Sequence, residues 1–166
     1  LSDFISFGVA PSLLIFFWSL NELNSLGWSI SLFFSVCAAL RLARFTADIY
    51  IMPKVIDTKS YFVGVPSPAA AGLCLFPVFL YFEYEFSFFR NPYLNIINLS
   101  IIGLLMISKI PTVSFKKINF SKKYTPFIIL LTIILCIGLV SNLWITLVIL
   151  AILYISSIFY TIYKNL

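Results

Sequence analysis

The sequence predicts an all-α protein, a polytopic bundle of transmembrane helices forming a single domain over residues 1–166, and three observations predict it. Of 166 residues, 61% are hydrophobic and only 10% are charged, where a soluble domain carries about 25%. Several uninterrupted apolar runs approach or exceed the ~20 residues a helix needs to cross a bilayer. The lysines concentrate in alternate connections: Lys54 and Lys59, then Lys109 to Lys123, then Lys164. Outer-membrane strands would show short alternating segments, which these are not. The composition leaves a soluble reading almost nothing in its favour.

The first helix is expected from about Ser2 to Leu20, with Ser2 or Asp3 able to cap it. Ser2, Ser6 and Ala10 make a stripe of small residues suited to close helix contact. Pro11 cannot donate to the carbonyl of Phe7, so a kink is expected there. Asn21 to Ser25 reads as a short polar turn. The second helix, from about Gly27 to Thr46, delivers Arg41 and Arg44 near its end. Asp48 to Pro66 reads as a longer polar segment, punctuated by Pro53 and Pro66. The third helix starts near Pro68, a suitable first-turn proline, and runs to about Phe82. Its Ala69–Gly72 stretch would let a neighbouring backbone approach closely, and Pro77 is expected to bend it.

Glu83 to Arg90 is a polar turn beside Tyr81, Tyr84 and Phe86, as an interfacial aromatic belt would have. The fourth helix covers roughly Tyr93 to Ile107 and leads into a basic loop, Lys109 to Lys123. The fifth, about Tyr124 to Val140, and the sixth, about Leu143 to Tyr163, meet in a tight connection at Ser141-Asn142. These last two helices are almost without polar features. They are expected to pack, seal or dimerise, and carry no assigned chemistry.

Six spans place the lysine-bearing connections together on one side, with the N-terminal end and Asp3, and the positive-inside rule makes that side cytoplasmic. Cys37, Cys74 and Cys136 all fall in apolar runs, share no metal-ligand spacing, and read as small buried hydrophobes. Histidine is absent, so any base or ligand must come from a carboxylate or another group; the carboxylates are Asp3, Glu22, Asp48, Asp57, Glu83 and Glu85. The chain opens on Leu1 with no basic leader before its first apolar run. It reads as a fragment whose upstream part is absent rather than as a signal peptide.

The polar residues of the cytoplasmic side form the candidate site. A charge near a bilayer core is costly, so Arg41 and Arg44 are expected to face a polar interior or to reach the interface. Three apart, they share one helix face, and Asp48 continues the same stripe. Arginine grips phosphate or carboxylate with parallel bonds. A carboxylate such as Asp3 can hold a divalent cation or take a proton from a hydroxyl. Two plainer readings stand beside these: Asp3 as a helix cap, and the arginines snorkelling to lipid phosphates or pairing Arg44 with Asp48. In Phe62-Val63-Gly64-Val65-Pro66-Ser67-Pro68, glycine permits an unusual backbone angle and two prolines fix the chain beside it. It serves either as a rigid re-entry turn or as a pocket wall. Pro111 to Lys117 is either a loop on anionic lipid or a source of anion contacts from Ser114 and Lys116.

Together these residues resemble the CDP-alcohol phosphatidyltransferases, and within them the bacterial integral-membrane phosphatidylserine synthases. That family carries the signature D-x2-D-G-x2-A-R-x8-G-x3-D-x3-D. Leu1-Ser2-Asp3-Phe4-Ile5-Ser6-Phe7-Gly8 is similar to the segment around its last aspartate, so Asp3 matches that residue and the rest of the signature would lie upstream. Arg41 to Phe45, Phe62 to Ala70 and Pro111 to Lys116 match the serine-using pattern, with Val65 where leucine is commoner. The resemblance covers roughly Leu1 to Lys117; each piece alone is unspecific, and the combination is specific.

The resemblance implies transfer of the phosphatidyl group from CDP-diacylglycerol to the hydroxyl of L-serine, with release of CMP. It implies a divalent cation, Mg2+ or Mn2+, with Asp3 as ligand and general base. Arg41 and Arg44 would contact phosphate or the serine carboxylate, with Phe62, Gly64, Pro66, Ser114 and Lys116 lining the substrate site. The protein would sit in the bacterial cytoplasmic membrane with its site facing the cytoplasm, use no nucleic acid, and have room to form a homodimer. The fragment alone is expected to be inactive. The alternatives are another acceptor alcohol, glycerol phosphate or inositol phosphate, and a non-enzymatic transporter domain or assembly subunit.

Overall fold

The computed structural model describes residues 2–51, 61–108, 111–113 and 125–165. Its elements are α1 (Ser2–Trp18), α2 (Ser25–Ile51), β1 (Tyr61–Val63), α3 (Ser67–Cys74), α4 (Phe76–Tyr84), α5 (Pro92–Ile107), β2 (Pro111–Val113), α6 (Thr125–Ser141) and α7 (Leu143–Asn165). The expected all-helical class holds, with one addition. β1 and β2 pair antiparallel in the register Tyr61↔Val113, Phe62↔Thr112, Val63↔Pro111. Among the described residues one helix is long and apolar enough to cross a membrane: its window Ser25–Ala47 has 23 residues and a mean hydropathy of 1.6. Ser2–Trp18, Pro92–Ile107, Pro126–Ser141 and Leu143–Ile158 are shorter apolar helical segments.

The proline in α1 acts one turn earlier than a simple kink. Pro11 has no N–H, so the chain from Ile5 to Val9 adopts π-helical turns and the Ala10 N–H reaches back to the Ile5 carbonyl. The stripe Ser2, Ser6 and Ala10, expected to meet a neighbour, is exposed instead. The buried face is Gly8, Pro11, Ser12 and Ile15, a spacing that keeps one side of the helix toward α2. A methyl on Gly8 would stand 2.8 Å from the Ala38 Cβ, so the close approach of α1 to α2 depends on that glycine. Ser12 Oγ donates to the Val9 carbonyl (2.9 Å) and lies 3.0 Å from Ser35 Oγ, while Ser31 Oγ donates to the Ser12 carbonyl.

α2 continues past the expected end at Thr46 as far as Ile51, so Asp48 is helical rather than the start of a loop. The third predicted helix is two helices. The break falls at Leu75, and Pro77 takes an early position in α4, where its missing N–H costs nothing. The carbonyls of Leu73 and Cys74 at the end of α3 both accept from Asn98 Nδ2 on α5 (3.3 and 3.2 Å). A side chain from a neighbouring helix thus satisfies backbone groups that the proline leaves open. Within the expected Ala69–Gly72 contact, Ala70 and Ala71 are buried, whereas Gly72 faces open space.

At the opposite end from Arg41, Asn95 is completely buried and ties three segments together. Its Nδ2 donates to Ser19 Oγ and to the Phe89 and Asn91 carbonyls, while Ser19 Oγ donates to the Arg90 carbonyl. Trp18 meets Tyr81 edge-on at 5.5 Å, and Phe82 stacks on Trp144 at 4.6 Å. Between the two ends the core gathers Ile15, Phe34, Ala38, Leu73, Leu99, Ile102 and Met106. α6 packs on α7 and shows most of its apolar surface, Val140 at 88% exposure being the extreme. Cys37 and Cys74 are buried as expected, but Cys136 on α6 is exposed, because that helix has few neighbours.

Candidate functional site

A pocket of about 230 Å³ opens where the start of α1, the last third of α2 and the start of α3 converge. It is lined by Asp3, Phe7, Arg41, Leu42, Phe45, Pro66, Ser67 and Pro68. Asp3 stands in the first turn of α1 and is exposed, where the helix dipole favours its negative charge. This is compatible with the capping reading, yet the same carboxylate lines the pocket.

Arg41 is half-buried, and its Nη1 donates to Ser67 Oγ at 2.7 Å. Ser67 opens α3 directly after Pro66, whose extended backbone (φ −59°, ψ 144°) turns the chain into the helix. The site therefore joins residues far apart in sequence through one short hydrogen bond. That bond also fixes the guanidinium, so less side-chain entropy is lost when an anion binds. Pro66, expected at the substrate site, is among the residues lining this pocket. Phe7, Leu42, Phe45 and Ser67 all lie within segments that carry the resemblance but were given no role of their own; only contact in the fold marks them.

Arg44 is placed differently. Its Nη1 donates to the Ile107 carbonyl at 3.1 Å, and it does not line the pocket. It closes the C-terminus of α5, where terminal carbonyls lack helical partners. Gly64 supports the same helix end from the other side. It is buried at φ +81°, and the N–H of the next residue, Val65, donates to the Leu105 carbonyl at 3.5 Å. A Cβ at Gly64 would lie 2.7 Å from the Met106 carbonyl oxygen and 3.0 Å from that of Ser108.

Gly64→Ala is therefore expected to destabilise strongly, combining a left-handed backbone with a clash against rigid backbone atoms. A drop in melting temperature of several degrees, or loss of folded protein in detergent, checks this; a melting temperature equal to the unsubstituted protein would refute it. Phe62 lies in β1, paired with Thr112 in the two-stranded ribbon. Ser114 and Lys116 lie outside the described residues, as do Lys54, Asp57, Lys59, Lys109, Lys117, Lys122 and Lys123.

The donor set does not by itself fit a divalent cation. Among the described residues Asp3 is the one carboxylate lining the pocket, and no group of three or more His, Cys, Asp or Glu that could hold a metal occurs. What the pocket offers chemically is a carboxylate able to accept a proton, a guanidinium able to bind an anion, and an apolar flank of Phe7, Leu42 and Phe45.

No family model matches the chain. Among curated relatives it is similar to a protein of Helicobacter pylori, 37% identical over 123 residues, covering 74% of this chain and 50% of the relative. It is also similar to one of Bacillus subtilis, 37% identical over 116 residues (70% of this chain, 56% of the relative). A third, from Methanocaldococcus jannaschii, is 38% identical over 111 residues (66% of this chain, 45% of the relative). All three are named CDP-diacylglycerol–serine O-phosphatidyltransferase. The chain spans about half the length of the curated relatives it matches.

Proposed function

We propose that this chain is part of a CDP-diacylglycerol–serine O-phosphatidyltransferase, and that the Asp3–Arg41–Ser67 pocket belongs to its active site. The observation that carries the reading is convergence. Relatives of that name are 37% identical to this chain over 70–74% of its length, and the pocket joins the segments around Asp3, Arg41 and Pro66, which carry part of the resemblance.

In this reading the serine hydroxyl gives its proton to the Asp3 carboxylate as its oxygen attacks the phosphorus that bears the diacylglycerol. The new bond is serine oxygen to phosphorus; the bond that breaks joins that phosphorus to the oxygen leaving with CMP. Arg41, already held by Ser67, would bind a phosphate oxygen or the serine carboxylate, and its fixed charge would stabilise negative charge building up at phosphorus. Asp3 would be one ligand of a divalent cation, Mg2+ or Mn2+, but the carboxylates needed to complete such a set are not among the described residues lining the pocket; a bound cation would supply positive charge to the diphosphate.

The wide apolar exposure of α1, α2, α5, α6 and α7 supports a multi-pass arrangement in the cytoplasmic membrane. The pocket would then face the cytoplasm, where serine and CMP are soluble, and acyl chains would lie between helices. The exposed face of α6 would meet lipid or a second copy in a homodimer.

An acceptor panel tests the reading. The full-length protein, with labelled CDP-diacylglycerol and Mg2+ or Mn2+, is expected to form phosphatidylserine and CMP with L-serine. It is expected to form no product with glycerol phosphate or inositol phosphate. Transfer to one of those two alone would replace serine as the acceptor, and no transfer to any acceptor would refute the enzymatic reading.

A further inference from the structure

Helix α7 contributes a polar group to the neighbourhood of the pocket that its sequence does not advertise. Tyr154 is half-buried against the core, on a helix that packs against β2, α3 and α4. Its hydroxyl is buried without a hydrogen-bond partner among the described residues, and the same holds for the Nε of Arg41. The two side chains are close enough to interact electrostatically. One is an N–H with only donor capacity, the other a hydroxyl that can accept. Two such atoms are costly to leave unpaired inside a protein, and one hydrogen bond between them would satisfy both.

We propose that Tyr154 is a positioning residue for Arg41, accepting its Nε–H when the pocket is occupied. The guanidinium is then held at Nη1 by Ser67 and at Nε by Tyr154, leaving Nη2 for the ligand. An arginine with two of its three nitrogens anchored presents its remaining donors in one orientation, which favours a planar or bidentate oxygen acceptor such as phosphate or carboxylate. What the guanidinium holds rests on the serine-transferase reading above; the contact itself does not. The consequence for the fold is that α7, devoid of charge up to Lys164, takes part in substrate binding rather than in sealing alone.

The test is a double-mutant cycle in the full-length protein with Tyr154→Phe, Arg41→Lys and the pair. Arg41→Lys keeps the charge and removes Nε. Tyr154→Phe is expected to raise the KM of one substrate by about 5–10-fold while kcat changes by less than about twofold, and to have little further effect in the Arg41→Lys background. Thermal unfolding of the same four proteins is expected to be non-additive at saturating CDP-diacylglycerol and close to additive without it.

A purely structural tyrosine would lower the melting temperature and the active fraction while leaving KM unchanged. Additive melting temperatures at saturating CDP-diacylglycerol, or wild-type saturation by both substrates in an active Tyr154→Phe enzyme, overturn the proposal. If the unsubstituted protein makes no phosphatidylserine, the serine reading fails on its own, and the thermal cycle still decides the contact.

Discussion

Asp3→Asn in the full-length protein is expected to lower turnover by about 100-fold or more, the range for losing a general base. Asparagine keeps the size of the side chain and can still cap a helix, so the plain structural role of Asp3 survives the change. It cannot accept a proton, and it is a poorer ligand for a cation. Because Asp3 is exposed in the first turn of α1 and packs into no core, folding should be unaffected, which makes the activity loss interpretable. If the residue is chiefly a base, affinity for CDP-diacylglycerol should hardly change. If it is chiefly a ligand, that affinity should fall and partly recover with excess Mg2+ or Mn2+. Turnover and nucleotide-lipid affinity measured across a metal titration separate the two. Near-normal turnover at limiting metal would return Asp3 to the role of a helix cap.

Arg41→Ala should be the second large loss, about 30–1,000-fold in kcat/KM, because removing one member of a partly desolvated charge pair typically costs about 2–4 kcal/mol. The bond to Ser67 goes with it, so the start of α3 also loses its tether to α2. Arg44→Ala provides the contrast. Arg44 holds the Ile107 carbonyl and stands outside the pocket lining, so its loss should appear as about 1 kcal/mol of stability, the usual worth of such a bond, with a smaller effect on catalysis. Purified enzyme assayed for saturation by both substrates, together with thermal unfolding, checks the pair. Equal losses of kcat/KM for both substitutions at unchanged stability would mean that Arg44 reaches the substrate too.

By itself the sequence determined the class, the order of the helices and the three segments that meet at the pocket. Apolar runs of helical length and turns marked by Asn, Pro and Gly are local signals, read correctly because backbone groups in an apolar setting must be satisfied within a helix. Asp3, Arg41 and Pro66 were legible for a related reason: charges and prolines are expensive in such runs and stand out. Tertiary structure decided the rest. The separation of Arg41 from Arg44, three residues apart on one helix, depends on what each meets: Ser67 of α3 for one, the end of α5 for the other.

The break at Leu75 is likewise set by a partner. Pro77 announces a disturbance, but where the helix breaks is set by Asn98 on another helix, whose Nδ2 donates to the carbonyls that end α3. The exposed Ser2–Ser6–Ala10 stripe failed as a contact because a π-helical stretch and a buried proline set a different face toward α2. Tyr154 was invisible for the same reason in its purest form. A tyrosine in an apolar helix carries no local mark of function, and only the fold brings it within electrostatic range of an arginine over a hundred residues away.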